Sequence, residues 1–320
     1  MAGSRCCVGT RLDFENENRS HYGVRLARTA FLVVTLVVVG AGCGSSTGTT
    51  TAAGVVRVVA AENFWGDIAR QLGGAHAKVT SIISDPTADP HQYESDARNA
   101  ADVADARIVI VNGVGYDDAI DKLLSVSSSH ARVVLSVQKV LRARDDVNPH
   151  LWYDVPRIPE VARAIESALV AADPADRAFF AANLKTFIAS LEPLKRILTE
   201  IKTKYAGAPV AYTERVPGYL LAAAGLTIAT PSGFAQAIED GNEPNAHDTQ
   251  GMNDLVSGRR IRVLLYNAQA TSAVTQHVED LARQTGIPVV AVTETMPRDQ
   301  PSYQAWQQSQ LEALLSALGG

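Results

Sequence analysis

Twice along this chain, short runs of β-branched residues alternate with helical stretches, and one long apolar-periodic stretch lies between the two alternations. Such alternation leaves few folds open, because parallel strands need crossovers and the crossovers pack as helices on both faces of the sheet. In the first block the patterning predicts strands over 55–61, 77–83, 107–112 and 132–137, helices over 62–72, 95–104 and 116–125, and a further helix over 156–172. In the second block it predicts strands over 210–213, 226–230, 261–266 and 289–293, with helices over 218–224, 247–257, 271–285 and 302–318. Between them, Asp173-Pro174 opens a stretch in which Phe180, Leu184, Phe187, Leu191, Leu194, Leu198 and Ile201 recur at three and four spacing until Gly207-Ala208-Pro209 ends it. A helix of about 30 residues would be roughly 45 Å long, enough to run the length of two lobes, with Pro193 inside it as a bend. The expectation is an α/β fold of two lobes, each a four-stranded parallel sheet flanked by helices, joined by one long linker helix. No short-period repeat argues for a solenoid.

The N-terminus reads as an address. Arg25 and Arg28 precede the apolar run from Phe31 to Val39, and Gly40-Ala41-Gly42-Cys43 follow it. That run is well short of the roughly 20 residues a membrane span needs, so an export signal is expected over 1–42. Small residues before Cys43 fit a lipoprotein processing site, with ordinary secretion or an inert anchor segment as the alternatives. The polar stretch 1–23 is unlike an n-region, which places the functional start later, at a codon such as that of Val24. A Gly/Ser/Thr tract makes 43–54 a flexible tether. The expected divisions are then 55–172 for the first lobe, 173–206 for the linker and 207–320 for the second. Beyond residue 42 there are 24 basic against 31 acidic residues, a formal charge of −7, and no basic stripe, which argues against nucleic acid and toward a small cation. Cys6, Cys7 and Cys43 are the chain's three cysteines. The body therefore has no thiol, and a site in it must use His, carboxylates or hydroxyls.

In open parallel sheets ligands sit beyond the carboxyl ends of the strands. There the first block offers two Pro-His steps, His91 after Pro90 and His150 after Pro149, and the second offers Glu214 and Glu294, each directly after a strand. Each signal is weak singly; their joint placement carries the reading. Two imidazoles and two carboxylates suit a divalent first-row transition metal, whereas calcium would want more oxygens. The prolines restrict the chain and help fix ligand direction.

Asp89-Pro90-His91-Gln92-Tyr93-Glu94, Asn148-Pro149-His150-Leu151-Trp152, Tyr212-Thr213-Glu214 followed by Tyr219, and Thr285-Gly286-Ile287-Pro288 leading to Glu294 resemble the metal-binding solute-binding proteins of ABC importers for zinc or manganese. The resemblance spans about residues 55–318. It implies His91, His150, Glu214 and Glu294 as metal ligands, Cys43 as the lipidated residue, a monomer anchored by lipid outside the cytoplasmic membrane, and a membrane permease as partner. It also implies a zinc or manganese ion as cargo and no enzymatic activity. Glu at the third position leans toward manganese, the fourth is usually Asp, and the His-rich loop of many zinc-type members is absent. Where many members carry an acid, this chain has Asn267 and Gln269, whose amides are either donors behind the ligands or plain surface groups.

Three other functions stay open: a metallohydrolase using the same His/Glu site, for which no His-Glu-x-x-His helix or nearby general base is found; a protein binding a chelated metal or vitamin; and a surface adhesin. His76, His130 and His277 read as solvated, His247 as part of a helix-start loop with delivery of metal as the alternative, and His21 lies outside the mature chain.

Overall fold

The computed structural model describes residues 54–85, 93–127 and 129–319. The chain divides into two units, 1–49 and 50–320, and all described residues belong to the second. The expected export signal, Cys43, the tether up to residue 53 and the loop bearing His91 lie outside the described residues.

The first block folds as β1 (Val56–Glu62), α1 (Asn63–Gly73), β2 (Ala77–Ile83), α2 (Ala97–Asp105), β3 (Ile108–Val111), α3 (Asp118–Val126), β4 (Val133–Ser136), the short α4 (Val137–Val140) and α5 (Ile158–Ala172). Then follow α6 (Arg177–Ser190) and α7 (Glu192–Tyr205). The second block is β5 (Pro209–Tyr212), α8 (Gly218–Ala223), β6 (Thr227–Ile228), α9 (Ser232–Glu239), α10 (Ala246–Ser257), β7 (Leu264–Asn267), α11 (Ala273–Thr285), β8 (Val289–Val292) and α12 (Tyr303–Gly319). All strand pairs are parallel, and the two sheets share one order, β2-β1-β3-β4 and β6-β5-β7-β8. Every residue of β3, Ile-Val-Ile-Val, is buried, as a central parallel strand covered on both faces requires. Side-chain caps set several helix starts. Asp96 and Asn99 form a reciprocal capping box on α2, Ser272 and Thr275 one on α11, and Asn245 caps α10. Gly286 ends α11 at φ 75°, a left-handed conformation that favours glycine.

The structure differs from the sequence reading in three places. The linker is two helices, interrupted at Leu191, because Pro193 has no N–H to give the carbonyl of Ala189, which instead accepts from Leu191. Helix α9 was not expected; Pro231-Ser232-Gly233 at its start reads as a turn. β6 keeps two of the five residues expected of it.

One buried cluster runs through both blocks. Phe64 of α1 stacks on Trp152 with ring centroids 4.2 Å apart, and Trp306 of α12 joins them edge-on to Tyr153. Polar ties cross the same interface: the Asn63 side chain pairs with both backbone groups of Met296, and the Tyr303 hydroxyl donates to the carbonyl of Trp152. Smaller clusters fill the outer faces of each sheet.

Candidate metal centre

His150, Glu214 and Glu294 converge. One nitrogen of His150 and one oxygen from each carboxylate all lie within 4.8 Å of one another, and the three side chains are buried. Glu214 stands two residues beyond β5 and Glu294 two beyond β8, while His150 comes from the loop after α4, so both sheets present their carboxyl ends to this point.

His150 is aimed by its neighbour. Asn148 Nδ2 donates to the carbonyl of Arg215 at 2.7 Å, which turns Asn148 Oδ1 toward the imidazole, where it accepts from Nδ1 at 2.6 Å and from the backbone N–H of His150 at 3.1 Å. With Nδ1 as the donor, Nε2 is the ring's electron-pair face, and it lies 3.7 Å from Glu294 Oε2. Tyr219 donates to the carbonyl of Asn148 at 2.8 Å, tying the loop to the opposite block.

The two glutamates are held from behind. The Asn267 amide donates to Oε2 of Glu214 and, at 2.8 Å, to Oε1 of Glu294. Gln269 acts on the backbone: its Oε1 accepts the N–H groups of Glu294 at 2.6 Å and Thr295 at 3.0 Å. Neither amide is a plain surface group, the second of the two readings the sequence left open.

Three contributors escaped the sequence reading. Tyr116 donates to Glu294 Oε2 at 2.8 Å, and burial, followed by the nearby Glu294 and Glu62, pushes its phenol far above its ordinary range. It is delivered by the turn Gly113-Val114-Gly115, all three at positive φ; Val114 at 57° is strained, as a β-branched residue there must be. The doubled glycine after a strand was the available signal. Glu62 and Asp117 are the others. Both are buried, and no N–H or O–H among the described residues reaches either Glu62 oxygen or Asp117 Oδ1. Burial, then the Asp117 charge, raises Glu62 well above the usual range, while Asp117, which accepts the Gly113 N–H through its other oxygen, is pushed up to about 6 by burial.

Among the described residues every buried ionisable side chain of Asp, Glu, His, Lys or Arg type is an acid or His150; none is Lys or Arg. Arg215 is committed to a two-pronged pair with Glu239. A buried, net-negative cluster with an imidazole lone pair beside it is a bed for a cation. A cavity of about 300 Å³ is lined from both blocks, by Tyr116, Asp145 and Pro149 and by Arg215, Glu239 and Asp240.

The remaining histidines mostly face solvent. His130 and His277 are exposed, and His247 is exposed in the first turn of α10. His76 corrects the expectation of a solvated side chain: it is partly buried, ion-paired with Asp176 and packed at 4.4 Å on Phe179.

Known proteins with this organisation share the sequence pattern. The family model described as ZnuA, zinc-uptake complex component A, periplasmic, matches residues 58–317. The manganese-binding lipoprotein MntA of Halalkalibacterium halodurans is 28% identical over 171 residues, 52% of this chain and 56% of that protein, so the match spans little more than half the relative's length. MntA of Bacillus subtilis is 22% identical over 258 residues, covering 77% of this chain and 81% of the relative. The periplasmic zinc-binding protein TroA of Treponema pallidum superposes with a TM-score of 0.70 at 17% identity, over 82% of this chain and 98% of its own, a likeness of fold.

Proposed function

The chain belongs to the ZnuA family, and from that premise we propose that it captures a divalent transition metal ion outside the cytoplasmic membrane and hands it to the permease of an ABC importer. The observation that carries the reading is the buried convergence of His150, Glu214 and Glu294, with no Lys or Arg buried among the described residues. His91 completes the ligand set in this reading, and Cys43 supplies the lipid anchor. Donor atoms within 4.8 Å of one another suit a bare ion and leave no room for a chelate or vitamin. Catalysis is disfavoured because the converging side chains are 0–1% exposed, whereas hydrolysis needs an open coordination position and substrate access. Zinc and manganese both fit the donor types. By the usual order of divalent stabilities zinc binds such a site more tightly whichever ion is carried.

The test is metal content and affinity of the full chain, stripped with chelator and reloaded, for wild type and the His91→Ala/His150→Ala double variant. One tightly held ion per chain, lost in the double variant, is expected. Unchanged binding in that variant overturns the site. Growth of a deletion strain under zinc or manganese limitation identifies the cargo.

A further inference from the structure

His76, Asp173 and Asp176 form a second convergence, at the other end of the first sheet. His76 closes the turn that leads into β2, and Asp173 and Asp176 lie where α5 gives way to α6, so they gather at the amino ends of the strands, away from the cleft. One nitrogen of His76 and one oxygen of each carboxylate all lie within 4.8 Å of one another. His76 Nδ1 meets Asp176 Oδ2 directly, a pairing that accounts for two of the three. Asp173 is left over. It is 6% exposed, its Oδ1 accepts the N–H of Ala175 at 3.2 Å, and among the described residues no Lys or Arg ion-pairs with it. It also caps the carboxyl end of α5, and α1 ends at Gly73, three residues before His76. Partial negative charge collects at both helix ends, so a buried carboxylate there with no Lys or Arg beside it is costly.

We propose that His76, Asp173 and Asp176 hold a second divalent transition-metal ion, which ties the α1–β2 turn to the start of the linker. One imidazole and two carboxylates are a donor set such ions take. Water fills the remaining positions, since the His76 and Asp176 side chains are 36% and 25% exposed. The ion supplies the positive charge that Asp173 lacks and that both helix ends favour. Its frame is built before it arrives. Phe179 of α6 packs on His76 at 4.4 Å, Asn183 donates to the carbonyl of Leu72 at 2.9 Å, and Gly74 lies so close under Phe179 that a Cβ there would meet the ring at 2.8 Å. With turn and helix already docked, binding orders little beyond the Asp176 side chain. Partial exposure and the contact given up between His76 and Asp176 make this ion weaker than one held by the buried donors of the cleft. The inference stands independently of the capture reading.

The experiment titrates Zn2+ into the full chain carrying His91→Ala/His150→Ala, so that the cleft does not compete, and reads stoichiometry by calorimetry and the melting temperature. An ion of moderate affinity should bind and raise the melting temperature, because a ligand of the folded state alone stabilises it. Adding Asp173→Asn keeps the shape and an acceptor for Ala175, removes the charge, and should weaken that ion about tenfold or more. His76→Gln should do the same, and in otherwise wild-type protein neither change should alter the tight ion of the cleft. His277→Ala, at an exposed histidine of α11, should change nothing. Absence of any ion at millimolar Zn2+, or affinities that Asp173→Asn and His76→Gln leave unchanged in folded protein, would reduce the three side chains to an ion pair and a helix cap and overturn the proposal, whatever the cleft holds.

Discussion

The two lobes share a strand order, and their central strands end alike, yet the ends are wired differently. Continuing the β1–β3 register, in which Val58 faces Ile108, by four residues sets Glu62 opposite Asn112. Continuing β5–β7, in which Ala211 faces Leu264, by three sets Glu214 opposite Asn267. Each lobe thus carries a buried Glu beside a buried Asn at the edge where the chain reverses direction across the sheet. In the second lobe the Asn amide grips the carboxylates. In the first, Asn112 turns to the carbonyls of Pro149 and Gly113, anchoring the His150 loop and the Tyr116 turn, and burial beside the Asp117 charge raises Glu62 well above the usual carboxylate range. On the proposed function, one position serves as a bed for a cation in one lobe and, in the other, as an acid that burial inclines to keep its proton. The difference caps the charge at the cleft: a third ionised glutamate would need further compensation where no Lys or Arg is buried among the described residues.

The sharpest way to break this comparison is to neutralise each glutamate in turn. Glu214→Gln removes a charged donor and should lower metal affinity by more than about 100-fold. Glu62→Gln imitates the protonated state already present and should change it by less than about threefold. Equal losses, read by chelator competition, would make Glu62 a ligand and erase the asymmetry.

The buried acids of the first lobe also have a pH signature. Asp117 titrates near 6 in the folded protein, above its unfolded value near 3.8. A carboxyl with a raised folded value binds its proton more tightly when folded, so this contribution favours the fold at low pH and is lost as pH rises from about 4 to about 6. The loss amounts to roughly 2–3 kcal/mol. Asp117→Asn should accordingly raise the melting temperature at pH 7 relative to wild type and narrow the gap at pH 4. Identical profiles for the two proteins would mean that Asp117 is not raised in the folded protein.

Asn112→Ala tests the anchor. It should loosen the His150 loop and cost about 10-fold in metal affinity, less than the loss expected for Glu214→Gln. A loss as large as that of Glu214→Gln would mean that Asn112 does more than anchor the loop.

How far the sequence exposes all this follows from what each residue depends on. β3 is legible because burial between helix layers demands an unbroken β-branched run, and α11 because Ser272 and Gly286 mark its ends locally. The convergence of Glu214 and Glu294 is legible because both stand just beyond the carboxyl ends of strands in parallel sheets. Tyr116, Asn148 and Glu62 are not: an aromatic, an amide and an acid take their meaning here from partners up to 178 residues away, and no local period encodes that pairing. The linker break hides for a related reason, since Pro193 is tolerated in the first turn of a new helix as readily as it bends an old one.

The smallest expected effect concerns motion between the lobes. Two lobes joined at flexible loops would close on an ion by many ångströms. Here the interrupted linker adds one point of flexure at Leu191, and Leu191 itself is fully buried in the cluster that runs through both blocks. The Phe64–Trp152 stack, the paired bonds between Asn63 and Met296 and the seat of Tyr303 on Trp152 would all have to separate for the lobes to swing. Opening them exposes aromatic surface at about 25 cal/mol per Å², more than a modest rearrangement of ligands returns. Metal loading should therefore alter the radius of gyration by less than about 1 Å in solution scattering, with changes in hydrogen exchange confined to the strand-end loops. A large compaction on loading would show that the shared core opens without ion, and that the lobes are coupled by the metal rather than by their packing.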